Sequence, residues 1–146
     1  MRDLQAELVA SCVAVGCAYS VLSDEQVANF EREILDKFGF RHGAPLWEQL
    51  EAGSSRWDPH VWTSIASLVP KRPELILIAQ VRTTTLTGLQ LHDGDRLQDV
   101  LDDSYRFVFY VTDADVSFVV CANDHDMVIS CGADAVELAE ATPDDA

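Results

Sequence analysis

The chain has 146 residues and a formal net charge of −15 at pH 7, from 25 acidic and 10 basic residues. With 48% apolar and 24% charged residues, its composition is typical of a folded globular protein and argues against wholesale disorder. The acidic balance disfavours nucleic acid and anionic membranes as partners and favours basic proteins or cations. No apolar run approaches the roughly 20 residues of a membrane-spanning helix.

This length predicts a single globular domain over residues 1–146, with a frayed acidic tail at 142–146. At the start of the chain Asp3 and Glu7 offset the positive charge of Arg2, so the sequence does not favour a signal peptide. We therefore expect a cytoplasmic protein.

Two helices are predicted in the N-terminal part of the chain. Residues 3–19 form the first, although the second half of this segment leaves a strand as the alternative. The second helix covers residues 24–38, because Ser23 and Gln26 make a capping box and Gly39 ends the apolar repeat.

The following segment is predicted to be a connector and then a third helix. Residues 40–56 contain at most one or two helical turns. Asp58 is a natural N-cap, and Pro59 suits the first turn of a helix. Apolar residues at helical spacing follow until Pro70 terminates the helix.

The apolar run at 74–81 has the length and composition of a strand covered on both faces. Residues 83–92 are ambiguous between a second strand of a hairpin and an irregular loop. Asp93 is predicted to cap a helix that extends to about Asp102, and residues 133–141 to form a final short helix.

Three strands at 106–111, 116–122 and 127–131 follow one another with only tight turns between them. Connections this short allow only antiparallel neighbours, so the pattern predicts a meander. The fold class predicted from the whole chain is α+β, with helices packed mainly on one face of a largely antiparallel four- or five-stranded sheet that ends in this meander.

Acidic residues are concentrated in the last third of the chain. Residues 93–146 contain 14 acidic and 2 basic residues, a net charge of −12, whereas residues 1–92 contain 11 and 8, a net charge of −3. In a meander, the start of the first strand and the turn between the second and third strands lie at the same end of the sheet. The sequence therefore predicts one acidic rim there and a second acidic turn at the opposite end.

The predicted rim and turn supply seven candidate partner-binding residues: Asp102, Asp103, Asp124, His125 and Asp126 in the rim, and Asp113 and Asp115 in the opposite turn. The alternative for each residue alone is a solvated turn or cap position. A divalent-metal site at 123–126 is a further alternative, but the acidic pairs lie at opposite ends of the meander and lack a calcium-binding loop.

No nucleophile paired with a base, phosphate-binding loop or dinucleotide motif is apparent, so the sequence predicts neither an enzyme nor a cofactor. The four cysteines have no metal-ligand spacing and are expected to be buried free thiols. Among the three tryptophans, Trp62 is assigned to the core by its helical spacing. Trp47 and Trp57 lie in connectors and are candidate anchors of an interface.

The segments 107–113, 117–126 and 128–129 resemble the C-terminal meander of small bacterial immunity proteins encoded beside polymorphic or contact-delivered toxins. In these proteins an aromatic strand, an acidic turn, a second strand and an Asn-x-His-Asp turn recur. The resemblance implies a cytoplasmic inhibitor that binds one cognate toxin with a basic surface and blocks its active site. The remaining alternatives are a nucleic-acid mimic that inhibits a DNA-binding enzyme, a metal-dependent enzyme using the 123–126 turn, and a regulatory scaffold.

Overall fold

Seven strands form one antiparallel sheet in the computed structural model, which describes residues 3–39, 50, 53–82, 85–104, 107–123 and 126–132. The α-helices of this described part are α1 (Leu4–Val15), α2 (Asp24–Phe38) and α3 (Leu97–Asp102). Its strands are β1 (Tyr19–Val21), β2 (Gly53–Trp57), β3 (Leu75–Arg82), β4 (Thr85–Leu91), β5 (Phe109–Thr112), β6 (Phe118–Ala122) and β7 (Met127–Gly132). Their order across the sheet is β1-β4-β3-β5-β6-β7-β2.

The predicted α+β class and the meander are confirmed. Strands β5, β6 and β7 are antiparallel neighbours, and the register aligns Tyr110 with Cys121 and Cys121 with Ile129. The ambiguous segment 83–92 contains β4, which pairs with β3 along nearly its whole length. The sheet has more strands than predicted because the sequence pattern predicts neither of the two short strands β1 and β2.

Both uncounted strands lie at the edges of the sheet. β2 pairs with β7 through the register Gly53 to Cys131 and Trp57 to Met127, and β1 pairs with β4 over three residues. An edge strand has one neighbour only and needs less apolar character than a central strand. The Gly-Ser-Ser start of β2 therefore looks like a loop in the sequence although it completes the ladder.

The sheet buries one apolar core on each face. Leu75, Leu77 and Ala79 of β3 point into a core that also contains buried residues of α1, α3 and the segment 61–69. The alternate residues Ile76 and Ile78 point into the other core, which α2 covers. Side chains alternate between the two faces of a strand, so β3 is apolar throughout. Most helical elements lie on the first face, as predicted, and α2 lies on the second.

The two N-terminal helices end where local chemistry requires it. Ser23 Oγ accepts from Gln26 N at 3.1 Å and Gln26 Oε1 accepts from Ser23 N at 2.8 Å, which is the predicted capping box of α2. α1 stops at Val15 because Gly16 adopts φ of 74°, a left-handed conformation that ends a helix. The strand alternative for the second half of this segment is wrong, because the helix continues to Val15 and β1 shares only Tyr19 with the segment.

The helix predicted after Pro59 is instead two 3₁₀ helices, Val61–Thr63 and Ile65–Ser67. Ser64 interrupts them with φ of −142°. The Thr63 hydroxyl donates to the His60 carbonyl at 2.8 Å and the Ser67 hydroxyl to the Ser64 carbonyl at 2.7 Å. Such local bonds from hydroxyl side chains compete with a regular α-helix.

The helix predicted from Asp93 begins as a 3₁₀ turn at Gly94–Arg96 before α3, and Asp93 makes no side-chain cap. The predicted final helix at 133–141 and the tail at 142–146 lie outside the described residues.

All four cysteines are buried free thiols. Burial raises the pKa of Cys12 to about 12 and that of Cys131 to about 11, and it also raises the pKa values of Cys17 and Cys121. Because the thiolate is the reactive form, we expect none of the four to react with Ellman's reagent within minutes at pH 8 in the folded protein. All four should react after unfolding in guanidinium. Rapid labelling of the folded protein would show that this packing is wrong.

Candidate partner-binding surface

Three carboxylates surround a shallow, nearly flat groove between the C-terminal end of α1 and α3. The groove is lined by Val15 of α1 and by Arg96, Asp99, Asp102 and Asp103 in and around α3. Three carboxylates and one guanidinium leave this α3 groove with a formal charge of −2. Asp102 and Asp103, both predicted site residues, are exposed to solvent.

The position of these carboxylates is unfavourable for the helix that carries them. The C-terminal end of a helix carries a partial negative charge, so an acidic residue there is repelled. Asp102 is the last residue of α3 and Asp103 is its C-cap. Asp102 accepts a hydrogen bond from Gln98 Nε2 at 2.9 Å, and Arg96 is paired with Asp99 at 3.1 Å. The two C-terminal carboxylates thus remain directed to solvent with no cationic partner among the ion pairs of the described residues.

A second exposed feature lies where β2 ends and β7 begins. Trp57, a predicted anchor, is 59% exposed and lies opposite Met127 in the register. Asp58 N donates to the carbonyl of Asp126 at 2.7 Å, and the Asp58 carboxylate pairs with Arg56 at 3.0 Å. Asp126 adopts φ of 60°, a conformation that aspartate tolerates in turns. We call Arg56, Trp57, Asp58 and Asp126 the Trp57 corner.

The segment 58–66 connects the α3 groove to the Trp57 corner. Gln98 of α3 donates to the carbonyl of Trp62 at 2.7 Å and accepts from Ala66 N at 3.1 Å. The same segment begins with Asp58, which is bonded to Asp126. Of the predicted rim residues, Asp102 and Asp103 line the α3 groove and Asp126 belongs to the Trp57 corner. A single acidic rim that includes all of them stays a prediction. Asp124 and His125, the centre of the predicted rim, lie outside the described residues.

Asp113 is part of the internal structure of the turn between β5 and β6. It is only 8% exposed, and its carboxylate accepts from Ser117 N at 2.9 Å, from the Ser117 hydroxyl and from Arg72 Nε at 3.1 Å. Burial alone would raise the pKa of Asp113, but these hydrogen bonds and the charge of Arg72 outweigh burial and hold the pKa below its ordinary value. We therefore leave Asp113 out of the binding surface.

Asp115 is exposed in the same turn, and its carbonyl accepts from Lys37 Nζ at 2.6 Å. Lys37 belongs to the last turn of α2, so Asp115 lies beside the helix that covers the second face. The meander places this turn at the opposite end of β5 from the chain that follows α3. Asp115 is thus separate from the α3 groove, as the sequence predicted for the two ends of the meander.

As predicted, Trp62 packs against the core whereas Trp57 is exposed. Trp47 lies outside the described residues. The Trp62 ring packs edge-to-face against Phe107 and Phe109, with centroids 5.3 and 5.1 Å away.

We expect Trp62→Ala to lower the free energy of unfolding by about 3 kcal/mol and Trp57→Ala by less than about 0.5 kcal/mol. Urea unfolding of the two variants checks this. A costly Trp57→Ala would mean that Trp57 supports the fold and is not held for a partner.

Asp99, Asp58 and Val15 belong to these surfaces but are not among the residues predicted from the sequence. Asp99 and Asp102 are three residues apart on a predicted helix, so helical spacing alone indicates that they share a face. For Asp58 the sequence predicts only a helix cap. The place of Val15 depends on the packing of α1 against α3, which no local pattern contains.

The described residues contain no group of three or more His, Cys, Asp or Glu side chains that could hold a metal ion. Within the same ranges, none of the helices has the length and apolar composition that crossing a bilayer requires.

The fold and the surface define an α+β protein with a seven-stranded antiparallel sheet, covered on both faces and bearing an acidic groove. Comparisons with protein-family models, with curated proteins and with solved structures found no match to this chain.

Proposed function

We propose that the protein is a binding protein that inhibits a basic partner protein, in the manner of an immunity protein and its cognate toxin. The observation that carries this proposal is the α3 groove, where Asp102 and Asp103 are exposed at the unfavourable end of a helix. Residues that reduce stability and make no internal ion pair are expected where function requires them. The net charge of −15 gives the whole molecule the sign that such a partner needs.

The two exposed features have complementary roles in this proposal. The carboxylates of the α3 groove attract and orient a basic cleft, because long-range attraction accelerates encounter and fixes register. Exposed aromatic residues supply the desolvated contacts that hold complexes together, and Trp57 is the largest of these in the described chain. A carboxylate cluster also imitates the phosphates that a nuclease or nucleotide-directed toxin binds.

Calorimetric titration against the product of the adjacent gene tests the proposal. We expect a one-to-one complex with a dissociation constant below a micromolar, and loss of the partner's activity in proportion to the protein added. Absence of a complex at micromolar concentrations of both proteins would contradict the proposed function.

A further inference from the structure

A serine, a histidine and a glutamate form a continuous hydrogen-bonded chain at the β1 edge of the sheet. Ser20 Oγ lies 2.6 Å from His92 Nε2, and His92 Nδ1 lies 2.5 Å from Glu74 Oε1. All three residues are exposed. The order nucleophile, base and carboxylate is that of the serine hydrolase triads, in which the base contacts the nucleophile and is itself oriented by an acid.

The strand register explains why residues so far apart in sequence meet. Leu91 of β4 pairs with Tyr19 of β1 on one side and with Leu75 of β3 on the other. The next residue, His92, therefore lies beside Glu74, which immediately precedes Leu75. His92 N also donates to the carbonyl of Ala18 at 2.8 Å, so the backbone of His92 is fixed against β1. The triad is thus built on three adjacent strands.

The acid determines which nitrogen of His92 carries the proton. An ionised carboxylate can only accept, so Glu74 requires a proton on Nδ1 of the imidazole. In the neutral ring, Nε2 is then unprotonated and accepts from the Ser20 hydroxyl. This is the tautomer in which a histidine can remove the serine proton.

The same strand provides backbone donors beside the nucleophile. The Ala18 carbonyl accepts from His92 N at 2.8 Å, and Leu22 N donates to the Gly88 carbonyl at 3.1 Å. The backbone groups of both residues therefore face β4. Backbone groups alternate in direction along a strand, so the amides of Tyr19 and Val21 face away from β4. β1 is the terminal strand of the described sheet, and the Val21 side chain is 50% exposed. A carbonyl oxygen placed at this edge can accept from the Val21 amide, next to Ser20 Oγ.

We propose that Ser20, His92 and Glu74 form an acyl-transfer site that hydrolyses small carboxylic esters. Ser20 and His92 are its catalytic residues and Glu74 is a positioning residue. This activity goes beyond the proposed binding function, uses none of its residues and departs from the expectation of a chain without catalytic groups. The two proposals fail independently.

The reaction has two balanced halves. Ser20 Oγ attacks the ester carbonyl carbon as its proton passes to His92 Nε2, and the negative carbonyl oxygen accepts from the Val21 amide. The carbon–oxygen bond to the alcohol then breaks, and the alcohol leaves with the proton from Nε2. Water next attacks the acyl group on Ser20 and gives its proton to Nε2. The bond to Ser20 breaks, Oγ recovers the proton and the carboxylic acid leaves.

Hydrolysis of p-nitrophenyl acetate by the full chain tests the site. We expect Ser20→Ala and His92→Ala each to lower the rate at least tenfold, since a positioned base contributes about 10²-fold or more. Ser55→Ala is the matched control, because Ser55 lies in the middle of the other edge strand, β2. It should keep the full rate. An unchanged rate in Ser20→Ala would overturn the proposal.

The test of Glu74 as a positioning residue compares two substitutions, one that removes the negative charge and one that keeps it. Glu74→Gln should lower the rate, and Glu74→Asp, which retains the carboxylate, should restore part of it.

Covalent labelling of the unmodified protein gives a test that no folding defect can affect. A fluorophosphonate probe should modify Ser20, located by peptide mass spectrometry, and should leave Ser55 unmodified. Absence of label on Ser20, or equal label on both serines, would overturn the proposal.

Discussion

Replacing Asp113 with alanine is expected to lower the free energy of unfolding by about 3 kcal/mol. Asp113 is buried, and its carboxylate accepts hydrogen bonds from both the amide and the hydroxyl of Ser117 as well as from Arg72. These bonds hold a turn in which Val116 has φ of 51°, an unfavourable conformation for a β-branched residue. Removing the carboxylate takes this acceptor away from the amide and the hydroxyl of Ser117 and leaves the strained turn without its support.

Asp115 provides a matched control two residues further along the same turn. It is exposed, so Asp115→Ala should change the free energy of unfolding by less than about 0.5 kcal/mol. Urea unfolding followed by circular dichroism gives both values. Equal effects of the two substitutions would show that Asp113 does not hold the turn.

The lowered pKa of Asp113 predicts how the free energy of unfolding depends on pH. The pKa of Asp113 in the folded protein lies below the ordinary value of 3.8, so the ionised form is favoured by folding. Its contribution is therefore complete above pH 3.8 and is lost as the pH falls through the folded pKa. The stability difference between the natural protein and Asp113→Asn should be constant from pH 7 to pH 5 and shrink in stronger acid. A difference that grows in acid would contradict the lowered pKa.

Reversing the two exposed charges at the end of α3 is expected to have the largest effect on partner binding. The double substitution Asp102→Lys and Asp103→Lys should slow association with a basic partner about tenfold or more at low salt, because it removes the attraction that steers encounter. The fold should become more stable by a few tenths of a kcal/mol, because lysine suits the C-terminal end of a helix. Stopped-flow association and urea unfolding measure the two effects.

A matched control separates a local interface from net charge. Glu33 and Asp36 are exposed on α2, which covers the opposite face of the sheet. Changing both to lysine alters the total charge by the same amount as the α3 substitution. If both double variants slow association equally, the α3 groove is not the interface and only the total charge matters.

Most of the fold can be predicted from the sequence because most of its elements are marked by local sequence patterns. The capping box at Ser23 and Gln26, the apolar run of β3 and the short turns of the meander each predict their element without tertiary information. The edge strands gave no such signal, since β1 has three residues and β2 begins with Gly-Ser-Ser. Their strand character comes from pairing with β4 and β7, which depends on contacts distant in sequence.

The candidate sites were harder to predict than the fold. Asp102 and Asp103 could be chosen from charge alone, and the exposure of Trp57 agrees with its place outside a helix. The burial of Asp113 could not be foreseen, because its partner Arg72 lies 41 residues away. The meeting of Ser20, Glu74 and His92 depends on the register of three strands, one of which was not counted. Sequence spacing cannot indicate such a group.

The salt dependence of the association rate with the adjacent gene's product tests the central claim most directly. Screening shortens the range of electrostatic attraction from about 10 Å at 0.1 M salt to about 3 Å at 1 M. If the acidic surface of this protein steers a basic partner, the association rate constant should fall at least about tenfold over this range while the dissociation rate changes much less. A rate constant that stays the same across the salt series would contradict the account.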